Sequence, residues 1–121
     1  PQMNLVEGTM DEKGPIFRSR SLEVDLSGVF SERWREYVGK PLPVGIRPED
    51  LDCASRADAW VEGEVQMIED LGSDRFVHVR CGNLELLARM PAHVVIGRGE
   101  IIRLAGKPNR LHFFYQGKRI H

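Results

Sequence analysis

Carboxylates crowd at two places in the chain: Glu49, Asp50 and Asp52, and again Glu69-Asp70. Groups of this kind serve as general acid and base, or hold calcium through oxygen ligands. Both fall where the chain is expected to turn, and there Asp and Glu solvate and cap. A solvent-facing role is therefore expected. The four histidines, His78, His93, His112 and His121, lie far apart, and none has a ligand partner at i+2 to i+4, so their spacing predicts no metal site. His78 stands between Val77 and Val79 and is expected on a sheet face. Cys53 and Cys81 are too few for a disulfide-stapled scaffold or a four-cysteine zinc site. They read as free thiols of a reducing, cytosolic compartment. Neither carries a local activating pattern, and Cys81, in a strand-like run, is expected to be a small buried hydrophobe.

Phosphate chemistry has no cradle here. Gly39-Lys40, Gly106-Lys107 and Gly117-Lys118 each lack the upstream glycine and the following Ser or Thr of a P-loop. No GxGxxG, GxSxG or HExxH occurs. Arg33, Arg35 and Lys40 are interleaved with Glu32 and Glu36, a mixed solvent face rather than a nucleic-acid patch. Phe113, Phe114 and Tyr115 form the sole aromatic cluster. Adjacent strand residues split between two faces, so core packing is expected over a stacking platform for single-stranded nucleic acid. No catalytic residue, cofactor site or metal site is predicted.

Such residues need elements to position them. The 121 residues suffice for one domain. Apolar residues make up 41% and charged residues 29%, the balance of a soluble globular protein, and Lys+Arg 17 against Asp+Glu 18 leaves a net charge of −1. That balance argues against a dedicated nucleic-acid binder. No apolar run approaches the roughly 20 residues of a membrane span. The opening Pro1-Gln2-Met3-Asn4 has neither the basic start nor the apolar stretch of a signal peptide.

Strand signals dominate. Met3 to Glu7, Ile16 to Arg18, Leu22 to Leu26 and Leu42 to Arg47 read as strands in the first half, with Pro43 confining the last to an edge or to its own start. Ser31 to Val38 is the one helix candidate. Ser31 is placed to cap it, Trp34 and Val38 to share a face above Phe30, and Gly39 to stop it. Pro48 to Leu51 suits a single helical turn. In the second half Trp60 to Leu71 is the longest run, with Val61, Val65 and Met67 expected on one face and a bulge or bend at Gly63. Phe76 to Arg80, Leu84 to Arg89, Ile101 to Leu104 and Leu111 to Tyr115 follow, separated by turn residues. Close strand spacing and almost no helix predict an all-β domain over residues 1–121. The architecture expected is an OB-type Greek-key barrel with additional N-terminal strands and one short helix.

Three segments carry a resemblance. The first is Val44-Gly45-Ile46-Arg47-Pro48-Glu49-Asp50-Leu51. The second is Gly63-Glu64-Val65 with Glu69-Asp70-Leu71-Gly72-Ser73-Asp74. The third is Leu111-His112-Phe113-Phe114 with Gly117-Lys118-Arg119-Ile120. In order and spacing they resemble the C-terminal regulatory domain of ATP-binding-cassette importer ATPases of the sugar-importer type, the maltose and glycerol-3-phosphate subunits among them. Pro1-Gln2-Met3-Asn4-Leu5 is similar to the segment that follows the ATPase domain in such subunits. Phe114-Tyr115 departs from the more usual acidic end of the last motif.

The resemblance implies a transport-associated OB (TOBE) domain that forms a homodimer and offers a docking surface to a regulatory protein. It implies no cofactor in this chain. ATP and Mg would belong to the ATPase domain of the intact subunit, which would also meet the permease subunits on the cytoplasmic face of the inner membrane. The motif residues Gly45, Ile46, Arg47, Pro48, Glu49, Leu71, Gly72, Leu111, His112 and Phe113 are implied to build the barrel or its interface. Gly45 would let two backbones approach, and Ile46 would face the core. Arg47 and Glu49 would flank the bend at Pro48 and pair with each other or with a partner. Leu111 and Phe113 would seal the barrel, with His112 on the other face. The alternative is a small-ligand or anion-sensing OB domain using Arg47, Arg80 and Arg89. A more remote one is single-stranded nucleic-acid binding.

Overall fold

Alternating apolar residues set the elements, and long-range pairing joins them. The computed structural model describes residues 2–121. Pro1, the first residue of the N-terminal segment that carries part of the resemblance, lies outside them. The strands are β1 (Asn4–Val6), β2 (Thr9–Asp11), β3 (Ile16–Arg18), β4 (Glu23–Asp25), β5 (Val44–Ile46), β6 (Asp52–Cys53), β7 (Val61–Asp70), β8 (Asp74–Cys81), β9 (Leu84–Pro91), β10 (Ile101–Ala105), β11 (His112–Tyr115) and β12 (Lys118–Arg119). Three 3₁₀ segments, Glu32–Tyr37, Pro48–Asp50 and Pro108–Arg110, complete the chain.

The strands form three antiparallel sheets: β2-β3-β4, β1-β5-β11-β12 and β6-β10-β7-β8-β9. In the last, β10 inserts between β6 and β7, a crossover of the Greek-key kind. All three sheets contribute to one core, through Val24, Phe17 and Met10 from the first, Val6, Val44, Ile46 and Phe113 from the second, and Val65, Val79, Leu86 and Leu104 from the third. No polar or charged side chain among the described residues is buried in it. Phe113 is fully buried, with the Phe17 ring centroid 5.9 Å away and that of Trp34 5.2 Å away. The all-β, OB-type architecture is the one expected.

Local details depart from expectation. The helix candidate is a 3₁₀ segment, and Ser31 makes no side-chain capping hydrogen bond. Tertiary contact holds it instead, because Trp34 is 2% exposed and packs on Phe113 with ring centroids 5.2 Å apart. Pro43 does stand just before β5, which is an inner strand between β1 and β11. The bulge in β7 is not at Gly63. It falls at Gln66, because Val65 pairs with Val79 and Met67 with the next residue, His78. One extra residue reverses the facing of everything beyond it, so Met67 is 48% exposed instead of sharing the inner face with Val61 and Val65. Gly63 serves a close approach: a Cβ there would lie 2.5 Å from the Arg80 carbonyl oxygen and 2.6 Å from Cys81 Sγ.

Candidate functional site

Register brings the first and third sequence motifs together. In the β5–β11 pair Gly45 stands opposite His112 and Val44 opposite Phe113. Arg47 therefore leaves β5 on the side where Arg110 leads into β11. On the other flank of β11, Arg119 of β12 stands opposite Phe114. Pro48 and Pro108 each open a 3₁₀ turn, which suits their fixed φ. Between these two turns lies a cleft of about 370 Å³ lined by Arg47, Glu49, Asp50, Asn109, Arg110, His112 and Arg119.

Its electrostatics are uneven. Asp50 is well covered, with a side-chain exposure of 13%, and its Oδ1 lies 3.5 Å from Arg110 Nε. Arg119 Nε donates to the His121 carbonyl at 3.1 Å. Arg47 makes no ion pair with Glu49 across Pro48, the first of the two pairings the resemblance implied, although both side chains line the cleft. Glu49 instead adds to the negative field at Arg89. His112 Nδ1 is buried with no hydrogen-bond partner. Burial holds the His112 imidazole below the ordinary histidine range, and the Arg119 and Arg47 guanidiniums, with His121, act in the same direction against Asp50.

The other motif residues lie outside the cleft lining. Ile46, Leu111 and Phe113 are buried, and Pro48 is covered beneath the turn. Above Gly45 the space is taken by the Met3 and Phe114 side chains, so the close approach there is of side chains rather than of a second backbone. Leu71 and Gly72 sit at the tip of the β7–β8 hairpin, outside the cleft; Leu71 is 52% exposed and Gly72 has a φ of +89°.

The arginines proposed for an anion do not converge. Arg80 is paired with Glu85 at 2.8 Å and Arg89 with Asp74 at 2.6 Å. Cross-strand register hands each a carboxylate, leaving Arg47 alone of the three in the cleft. Arg110 and Arg119 are its partners there, and sequence reasoning missed their part. The signal for Arg119 was its place in the Gly117-to-Ile120 motif; Arg110 gave none.

Elsewhere polar side chains pair with one another. His78 Nε2 lies 2.6 Å from Glu69 Oε1, and Arg75 Nε donates to Asp70 at 2.9 Å. Among the described residues no group of three or more His, Cys, Asp or Glu side chains is placed to hold a metal. No helix there is long and apolar enough to cross a membrane. Burial pushes the Cys81 thiol up to about 11, and burial together with the nearby Asp52 and Glu100 raises Cys53, so neither is an activated nucleophile. Phe113 is inside the core, and Tyr115 packs on Tyr37 with centroids 5.1 Å apart.

All ten motif residues fall inside one family match. Residues 44–114 match the TOBE domain model, and residues 1–51 match the MalK OB fold domain model. The chain belongs to the TOBE domain family. The TOBE match takes in both turns of the cleft and His112, and the MalK OB match takes in β1 to β5. Among curated relatives, the chain is 31% identical over 114 residues to the sn-glycerol-3-phosphate import ATP-binding protein UgpC of Escherichia coli O6:K15:H31 (strain 536 / UPEC), covering 94% of this chain and 31% of that protein. The protein of the same name from Cupriavidus pinatubonensis (strain JMP 134 / LMG 1197) is 30% identical over 130 residues, covering 99% of this chain and 35% of that protein. This TOBE chain thus spans about a third of the length of such relatives. Among solved structures, the cytoplasmic molybdate-binding protein ModG, with molybdate bound, superposes with a TM-score of 0.68 at 15% identity, covering 91% of this chain and 94% of that one. That likeness establishes the fold.

Proposed function

We propose that this TOBE domain is the non-catalytic regulatory and dimerisation part of the ATP-binding subunit of an ABC importer for glycerol 3-phosphate or a sugar. The observation that carries the reading is the 31% identity to UgpC across 94% of the chain. In this reading two copies pack about a two-fold axis and keep paired ATPase domains together as they open and close. A regulatory protein docks on the exposed surface. The ATPase domain binds ATP and Mg and engages the permease subunits at the cytoplasmic face of the inner membrane, and this domain binds neither nucleotide nor nucleic acid.

The experiment is purification of the native gene product from its source cell. The expected product has about the length of the relatives, of which this chain covers 31%. It hydrolyses ATP and co-purifies with permease subunits, and removing these residues weakens its self-association. A native product confined to these residues, with no ATPase or permease partner, overturns the reading.

A further inference from the structure

An edge strand presents a row of backbone groups that another strand can satisfy, and β1 is the end strand of its sheet. Alternation in the antiparallel ladder fixes which of its residues face outward. The Phe114 N–H donates to the Pro43 carbonyl at 2.9 Å, whereas the Phe113 N–H turns away from β5 to the His121 carbonyl at 3.2 Å. His112 and its opposite Gly45 therefore turn their backbone groups toward each other. Val44 and Ile46 turn theirs the other way, to Val6 and Asn4 of β1. Leu5, opposite Gly45, is left with its N–H and C=O pointing away from β5 into the open edge. Its side chain is 64% exposed.

A groove of about 390 Å³ lies along β1. Leu5, Val6 and Glu7 line it from β1, and Arg20 and Leu84 from the neighbouring turns. Leu5 and Leu84 make it apolar. Glu7 and Arg20 border it with opposite charges, and neither makes an ion pair among the described residues. An unpaired backbone donor and acceptor, an apolar contact and one charge of each sign are together what an extended peptide answers. We propose that this groove is a strand-addition site. An extended segment of a partner protein, apolar at its centre and carrying one basic and one acidic side chain for Glu7 and Arg20, pairs with Leu5 and extends the sheet beyond β1.

The edge is short. Three residues at a rise of about 3.3 Å each give roughly 10 Å of strand, which suits weak, reversible capture. That shortness, with the charge of Glu7 at its end, also keeps the edge from pairing indiscriminately. The site supplies a docking mode for the regulatory protein of the importer reading and rests on that reading only for the partner's existence; the groove belongs to this chain alone.

Titration of the 121-residue chain with an end-blocked octapeptide tests the site. The peptide alternates threonine and valine, with a lysine near one end and a glutamate near the other. Saturable binding below about 1 mM is expected, and hydrogen exchange followed by NMR should slow at the Leu5 N–H. The Asn4 and Val6 N–H groups, already turned to β5, should be protected with or without peptide. The same peptide N-methylated at alternate residues keeps its side chains, loses its donors, and should not bind. Leu5→Pro removes the outward N–H and leaves the bonds to β5 in place, so it should weaken binding about tenfold or more. Arg20→Gln should weaken it about threefold, and Arg80→Gln, paired with Glu85, should leave it unchanged. No saturable binding, or equal binding of the N-methylated peptide, overturns the site. Self-association of the chain without peptide, abolished by Leu5→Pro, assigns the edge to a second copy and also overturns it. If Leu5→Pro fails to fold, the N-methylated peptide on the unaltered chain decides. Because only this chain and the peptide are present, failure here leaves the length and ATPase activity of the native product as a separate question.

Discussion

Asn4 and Leu87, 83 positions apart, are joined as two strand residues would be, but by a side chain. The Asn4 amide donates from Nδ2 to the Leu87 carbonyl at 2.9 Å and accepts at Oδ1 from the Leu87 N–H at 2.8 Å. The same Nδ2 donates to the Ile46 carbonyl at 3.0 Å. One side chain on β1 thus ties β5 to β9, and with them the four-stranded sheet to the five-stranded one. It stands where two sheet edges meet and backbone groups have no strand partner.

Asn4→Ala removes both halves of that bridge and leaves the Leu87 backbone groups unpaired. A loss of about 1–3 kcal/mol is expected, since an unsatisfied, partly buried polar group costs its desolvation. Urea denaturation of the two chains measures it. Asn4→Asp keeps the acceptor toward the Leu87 N–H and loses the donors, so its midpoint should also fall.

Gly63 and Gly97 should respond oppositely to alanine. At Gly63 the new methyl meets the Arg80 carbonyl, Cys81 Sγ and Val79 Cγ1, all within 2.8 Å, and the nearest of them is a backbone atom. Overpacking of this kind costs about 1–3 kcal/mol. At Gly97 nothing lies within 4 Å of the added carbon, and a change within about 0.5 kcal/mol is expected. Denaturation midpoints of the two variants separate the cases, and equal midpoints would refute the packing argument.

Stability should fall on mild acidification. His112 and His121 are both held below the ordinary histidine range, chiefly by burial, with neighbouring arginines acting the same way. The unfolded chain therefore binds protons that the folded chain refuses. Their contribution is fully present above the unfolded histidine value of about 6.5 and is lost as the pH falls toward their folded values. Thermal midpoints should drop over that range, before the carboxylates titrate. The drop should shrink in His112→Gln, and Arg119→Gln should move the His112 ring titration upward when followed by NMR.

The two thiols should differ in access. Cys53 is exposed and Cys81 is 1% exposed, with its thiol pushed up to about 11. A thiol reagent at mildly alkaline pH should label Cys53 in the folded chain and Cys81 only after denaturant is added. Rapid labelling of both without denaturant would mean that the β7–β8 packing opens readily.

Periodicity is a local property, and what depended on it was written in the sequence. Val77 and Val79 turned inward, and the all-β architecture followed from such alternation repeated along the chain. Register is a long-range property, set by which strands pair and where an extra residue enters. Gln66 alone turned Met67 to solvent, and nothing in the residues around it announces the bulge. The same pairing decided which arginines found carboxylates. Arg80 and Arg89 are neutralised across β8 and β9, whereas Arg47, Arg110 and Arg119, 72 positions apart from first to last in the sequence, meet because β11 lies between β5 and β12. The cleft exists only once those strands are paired.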